Sequence, residues 1–148
     1  MAMDDRSYSL LEGIARRENL SLLQYVRDAY PWTTPSEREV LTKIRAMIEE
    51  EQQGVVALVR FLYSRHRPPP YFGSYPTSFT SLSFVSLDHL LPILATNERK
   101  ALERLESEVA SLADPEAKAL VEKIIANKRR HLETLQSLAA AHSQAAVA

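Results

Sequence analysis

Cysteine is absent from this 148-residue chain, and glycine occurs only three times. The first absence excludes a disulfide-rich secreted scaffold and any cysteine nucleophile. The second lies far below the usual share of roughly 7%. It argues against glycine-rich phosphate loops and against a fold with many tight β-turns, and so in favour of helices. No charge of one sign dominates either: 18 Lys and Arg stand against 19 Asp and Glu, a formal net charge of −1, with no run of five like charges. That balance gives no support to an electrostatic nucleic-acid binder or a polybasic membrane anchor. No window of 18 uninterrupted apolar residues occurs, and the opening Met1-Ala2-Met3-Asp4-Asp5-Arg6 lacks a basic segment leading into an apolar one. A cytoplasmic protein without membrane contact is therefore the expectation. What is present is 45% hydrophobic residues in a chain long enough to bury roughly two-thirds of its unfolded surface. A single domain over residues 1–148 is expected, needing no covalent or metal staple.

Apolar periodicity divides the chain into four helices. Residues 7–30 carry Leu11, Ile14, Ala15, Leu22, Tyr25, Val26 and Ala29 on one stripe, with Glu18 among them and Ser7 or Ser9 as cap. Pro31 and Pro35 break this helix. Thr34 or Ser36 then caps a second helix over 36–65, with Val40, Ile44, Met47, Ile48, Glu51, Val55, Leu58 and Leu62 on its stripe. Residues 66–86 hold four of the eight prolines and five aromatics, Tyr71, Phe72, Tyr75, Phe79 and Phe84. So aromatic a connector is a strap rather than a flexible linker. A third helix over 87–112 follows Ser86 and contains Pro92 as a potential kink; Asp114 with Pro115 opens a fourth over 115–141, before an Ala-rich tail. The short links between helices 1 and 2 and between helices 3 and 4 make each pair an antiparallel hairpin. The 21-residue connector, able to reach about 69 Å at 3.3 Å per residue, crosses the length of a four-helix bundle between them.

Each helix places an ionisable residue on its apolar stripe. Counted from Thr33, Glu18 lies 15 residues before the first turn and Glu51 lies 18 after it; counted from Asp114, Glu98 lies 16 before, and Lys128 and His131 lie 14 and 17 after. At 1.5 Å per residue these heights agree to about 5 Å. A buried polar cluster of Glu18, Tyr25, Glu51, Glu98, Lys128 and His131 is the expectation. Three carboxylates in one dry layer demand a proton, a cation or a metal.

These residues also carry a resemblance. Glu18 followed seven residues later by Tyr25, the acidic run Glu49-Glu50-Glu51, and His131 followed by Leu132 and Leu135 resemble the ferritin-like superfamily, the rubrerythrin and bacterioferritin type of di-iron carboxylate bundle. Glu98 stands where that family's third helix supplies its carboxylate. The resemblance implies an all-α, ferritin-like four-helix bundle with an iron-binding centre. The chain departs from the pattern at two ligand positions: Gly54 takes the place of the first histidine, and Lys128 the place of the second bridging glutamate. The implied state is a degenerate centre in which an ion-pair network has replaced the metals, Gly54 leaving room for the lysine stem or a water. Its role is that of a non-catalytic structural or interaction module, forming a homodimer, with no cofactor and no nucleic acid. The alternative is an iron or other divalent-metal site of Glu18, Glu51, Glu98 and His131, in a ferroxidase or iron-binding protein.

The remaining motifs carry less. His66, His89 and His142 have no partners at ligand spacing and are expected at the surface. Arg65-His66-Arg67 complements a helix C-terminus, and no nucleophile-elbow motif occurs. Pro68-Pro69-Pro70-Tyr71 could dock a proline-reading module, and the whole aromatic connector from Tyr71 to Phe84 is a second possible contact surface.

Overall fold

The computed structural model describes the backbone of residues 3–147 and side chains to residue 142. Five α-helices, α1 Asp5–Asn19, α2 Leu22–Ala29, α3 Arg38–Ser64, α4 Leu87–Val109 and α5 Pro115–Val147, make the protein all-α, and no strand occurs among the described residues. The first amphipathic stretch is not one helix over 7–30 but two. Asp4, not Ser7 or Ser9, caps α1, its Oδ1 accepting from Ser7 N at 2.6 Å. α1 ends at Asn19, and Ser21 restarts the helix by accepting from Gln24 N at 3.2 Å. A serine in the extended conformation, able to satisfy an orphan helical N–H, competes with helix continuation, and here it wins.

The other termini follow from equally local chemistry. Tyr30 ends α2 in the left-handed region at φ 47°. Thr34 and Glu37 form a reciprocal capping box around the 3-10 turn Pro35–Glu37, which leads into α3. Ser86 caps α4, which continues through Pro92 and stops at Val109, three residues short of 112. Asp114 Oδ1 accepts from Glu116 N and Ala117 N to open α5, which continues beyond 141 to Val147.

Contacts between helix ends set the directions. Arg65, after α3, pairs with Asp114 before α5 at 2.6 Å, while Glu37, before α3, meets His142 near the far end of α5; α3 and α5 are antiparallel. Arg67 pairs with Asp5 at 2.7 Å, so α1 begins where α3 ends. Asp88 reaches the same His142, so α4 begins at the end where α3 begins. Residues between α3 and α4 therefore travel the length of the molecule. They are held down along the way: Tyr8 Oη donates to Pro68 O, Arg16 Nε to Tyr71 O, and Phe84 N to Ala29 O. Midway, Tyr75 and Phe79 pack their rings at 5.2 and 5.6 Å from that of Tyr25.

The interior has two apolar regions with a polar layer between them. One contains Leu11, Ile14, Leu58, Leu62, Leu105, Val121 and Ile125. The other contains Leu22, Ile44, Ile48, Leu91, Leu94 and Leu135. On every long helix the residue between the two sets is ionisable, which puts the site at mid-height.

Candidate functional site

Every helix except α2 reaches mid-height with an ionisable residue. α1 presents Glu18 in its last turn, just before the break; α3 presents Glu51 between Ile48 and Val55; α4 presents Glu98 between Leu94 and Leu102; α5 presents Lys128 and, one turn on, His131. All five are buried, and Lys128 is 0% exposed. Its Nζ lies 2.9 Å from Glu18 Oε1, 2.9 Å from Glu51 Oε1 and 3.2 Å from Glu98 Oε1. An ammonium has three N–H donors and no acceptor, and here three carboxyl groups face it. His131 extends the cage: Nδ1 is 2.7 Å from Glu51 Oε2 and Nε2 is 3.1 Å from Glu50 Oε1, which also accepts from Arg130.

The electrostatics separate the three acids. Burial penalises the ammonium of Lys128, but the carboxylates of Glu18, Glu51 and Glu98 outweigh it and hold its pKa well above the ordinary lysine value. Burial also raises Glu51, yet Lys128 and the bond to His131 prevail and bring it down to about 2. For Glu18, burial outweighs the attraction of Lys128 and raises the carboxyl. Glu98 is pushed furthest up, by burial and then by the neighbouring charge of Glu51, against the pull of Lys128. Its Oε2, fully buried, has no hydrogen-bond partner among the described residues. The layer is thus a Lys128–Glu51 ion pair with two further carboxyls disposed to hold protons.

Tyr25 does not belong to this cluster. Its hydroxyl bonds Ser83 Oγ at 2.7 Å, and its ring packs against the crossover. The cause is the break after Asn19: an unbroken helix keeps residues seven apart on one face, whereas the extended Ser21 rotates everything beyond it. Gly54 is also not a space for the lysine stem. A Cβ built there comes within 3.0 Å of Ile124 Cγ1, so the side chain of α5 fills the position. His142 is half-buried rather than on the surface, 2.5 Å from Glu37 and 3.1 Å from Asp88; His66 and His89 are exposed. Sequence reasoning missed Glu50 as the second partner of His131, although it sits in the acidic run beside Glu51. It also missed the buried Gln24, whose Nε2 donates to Ile48 O at 2.9 Å; no periodicity marks a buried amide.

A di-metal centre does not fit these residues. Ligand atoms of Glu51, Glu98 and His131 do lie within 4.8 Å of one another. One oxygen each of Glu51 and Glu98 is, however, already directed at the buried ammonium of Lys128, and two cations at that spacing repel. A Cβ at position 54 would already press on Ile124 at 3.0 Å. No protein-family model, no curated protein and no solved structure matches the chain.

Proposed function

We propose that this protein is a ferritin-like four-helix bundle in which an ion-pair cage stands in for a di-metal centre, and that it acts as a non-catalytic structural or interaction module. The observation that carries the reading is the fully buried Lys128 ammonium within 3.2 Å of three carboxyl groups from three other helices. A lysine so placed supplies the positive charge that a metal would otherwise bring, without needing one. The lengthwise crossover between α3 and α4, joining two helical hairpins, supports the ferritin-like connectivity. An interaction role is supported by Tyr30, Trp32 and Phe84, exposed at 68%, 64% and 73% near the start of α3 and α4, and the reading carries with it a homodimer in the cytoplasm. Tyr30 and Phe84 stack at 6.2 Å although both adopt left-handed backbone, at φ 47° and 61°. Holding two bulky residues in that region costs on the order of 1–3 kcal/mol each, a cost that suits a displayed surface better than a solvated turn.

Incubating the purified protein with excess ferrous iron in air tests the reading. No ferroxidase burst and no retained iron after desalting is expected; two irons per chain, or turnover, overturns it. A competing reading, one divalent ion held by Glu18, Glu51, Glu98 and His131, draws on the convergence of the last three within 4.8 Å. It requires retained metal that disappears in His131→Ala, whereas the ion-pair cage leaves wild type and variant equally metal-free.

A further inference from the structure

At the end of the bundle where α3 and α4 begin, three elements bring metal-binding side chains to one point. Glu37 is fixed by its capping box: Oε1 accepts from Thr34 N at 2.7 Å, which leaves Oε2 for another partner. Asp88 stands in the first turn of α4, placed there by the Ser86 cap. His142 arrives on α5, which runs antiparallel to the 27-residue α3 and by this point has come level with its start. Ligand atoms of Glu37, Asp88 and His142 lie within 4.8 Å of one another.

A proton alone serves this arrangement badly. His142 Nε2 is 2.5 Å from Glu37 Oε2 and 3.1 Å from Asp88 Oδ1. A ring nitrogen carries at most one proton, and one N–H divided between two carboxylates is poorly aligned with both. Two carboxylates against an imidazolium also leave one negative charge over, whereas a divalent ion with a neutral imidazole leaves none. No lysine or arginine among the described residues pairs with either acid, unlike the cage, where Lys128 already fills that role. Burial acts to raise Glu37, but the bonds from Thr34 N–H and His142 outweigh it and hold the carboxyl below its ordinary value. Side-chain exposure is 13% for Glu37, 20% for His142 and 60% for Asp88. Two ligands are thus held in place, a third can adjust, and the side toward Asp88 is open to water.

We propose that Glu37, Asp88 and His142 bind one divalent metal ion of the zinc type, which ties the end of α5 to the starts of α3 and α4. One imidazole and two carboxylates with room for a water make a three-plus-one donor set that suits zinc. Calcium takes about six to eight oxygens, and magnesium demands near-ideal octahedral oxygen geometry. In the bound form Nε2 gives its lone pair to the ion while the ring proton sits on Nδ1, and a second proton, where present, is released to solvent. Zinc–ligand bonds of about 2.0 Å set tetrahedral donors about 3.3 Å apart, so Asp88 is already near that spacing and Glu37 moves out by less than about 1 Å. None of these residues belongs to the cage, so this site and the ferritin-like reading stand or fall separately. Ferrous iron stands near the weak end of the divalent series for such donors and leaves them on desalting.

Calorimetric titration of the full chain with zinc chloride in a non-chelating buffer tests the assignment. One Zn²⁺ per chain is expected, and His142→Ala is expected to abolish it. Glu37→Gln keeps the capping box, which glutamine also makes, and Asp88→Ala removes an exposed ligand outright. Each is expected to weaken zinc by at least tenfold, since loss of even an outer partner of a metal ligand costs about 10–100-fold. Zinc should also raise the melting temperature of wild type and leave that of His142→Ala unchanged, with circular dichroism reporting an intact fold for every variant. His66→Ala and His89→Ala, which remove exposed histidines outside the site, should bind zinc as wild type does. Absence of zinc binding to wild type overturns the proposal. So does binding that persists in His142→Ala, which places the ion in the cage or makes it an adventitious ion only. Unchanged affinity in Asp88→Ala, or binding lost in His66→Ala or His89→Ala, overturns it as well.

Discussion

At the scale of the residue, Lys128 decides the character of the interior. Its removal leaves three carboxyl groups buried without their cation, and breaking a buried pair in this way typically costs about 3–5 kcal/mol. Lys128→Met, similar in length and apolar, is expected to lose stability of that order in urea at pH 7. The loss should shrink at pH 4, where the orphaned acids take up protons; an equal loss at both values contradicts the cage. The acids on the stripes of α1, α3 and α4 are legible in the sequence because a charge interrupting a 3.6-residue apolar pattern stands out. What cannot be read there is which oxygen meets which nitrogen, or that Ile124 rather than open space lies over Gly54. Enlarging that glycine tests the contact. Gly54→Val is expected to lose about 1–3 kcal/mol through overpacking, whereas a roomy site would gain from the removal of a helical glycine.

At the scale of the element, the break between α1 and α2 has the widest consequences. It turns Tyr25 away from the cage toward Ser83 and the ring of Tyr75. Apolar spacing alone continues across it, since Leu22 and Val26 keep the stripe started by Leu11 and Ile14. The cap chemistry of Ser21 was the available signal. Ser21→Ala removes an N-cap and is expected to cost about 1 kcal/mol, read as a lower melting temperature, with α2 showing faster amide exchange than α1. The crossover is legible from its prolines and aromatics as a strap, and its hydrogen bonds to α1 and α2 explain why such a segment is ordered. Tyr25→Phe, which deletes the bond to Ser83 and keeps the ring, is expected to cost about 1 kcal/mol. No change in stability would mean that stacking alone holds the strap.

At the scale of the whole molecule, the cage makes stability a function of pH. Glu51 is held down to about 2 from its ordinary 4.5. Its contribution, on the order of 3 kcal/mol by the size of that shift, is complete above pH 4.5 and disappears as pH falls from 4.5 toward 2. Glu18 and Glu98 are raised, so their contribution is complete below pH 4.5 and drains away as pH rises through their folded values. Denaturation followed from pH 2 to 9 is expected to show losses on both sides. Glu51→Gln should flatten the acid limb, and Glu98→Gln the limb toward higher pH. If Glu51→Gln leaves the acid limb unchanged, some other carboxylate governs it. No described helix is long and apolar enough to cross a membrane.

The sequence by itself determined that the protein is helical, where its long helices begin, and which residues break their apolar stripes, because propensity, capping and periodicity act within a few residues of chain. It also contained the crossover, since proline and aromatic content are local properties. Only the tertiary structure decided that Glu18, Glu51 and Glu98 converge on one ammonium and that Tyr25 does not. It likewise decided that Ile124 packs over Gly54 and that His131 is shared between Glu50 and Glu51. These depend on the rotation of each helix about its axis, set by packing across the bundle, and a single extended residue at Ser21 is enough to change that rotation for everything beyond it.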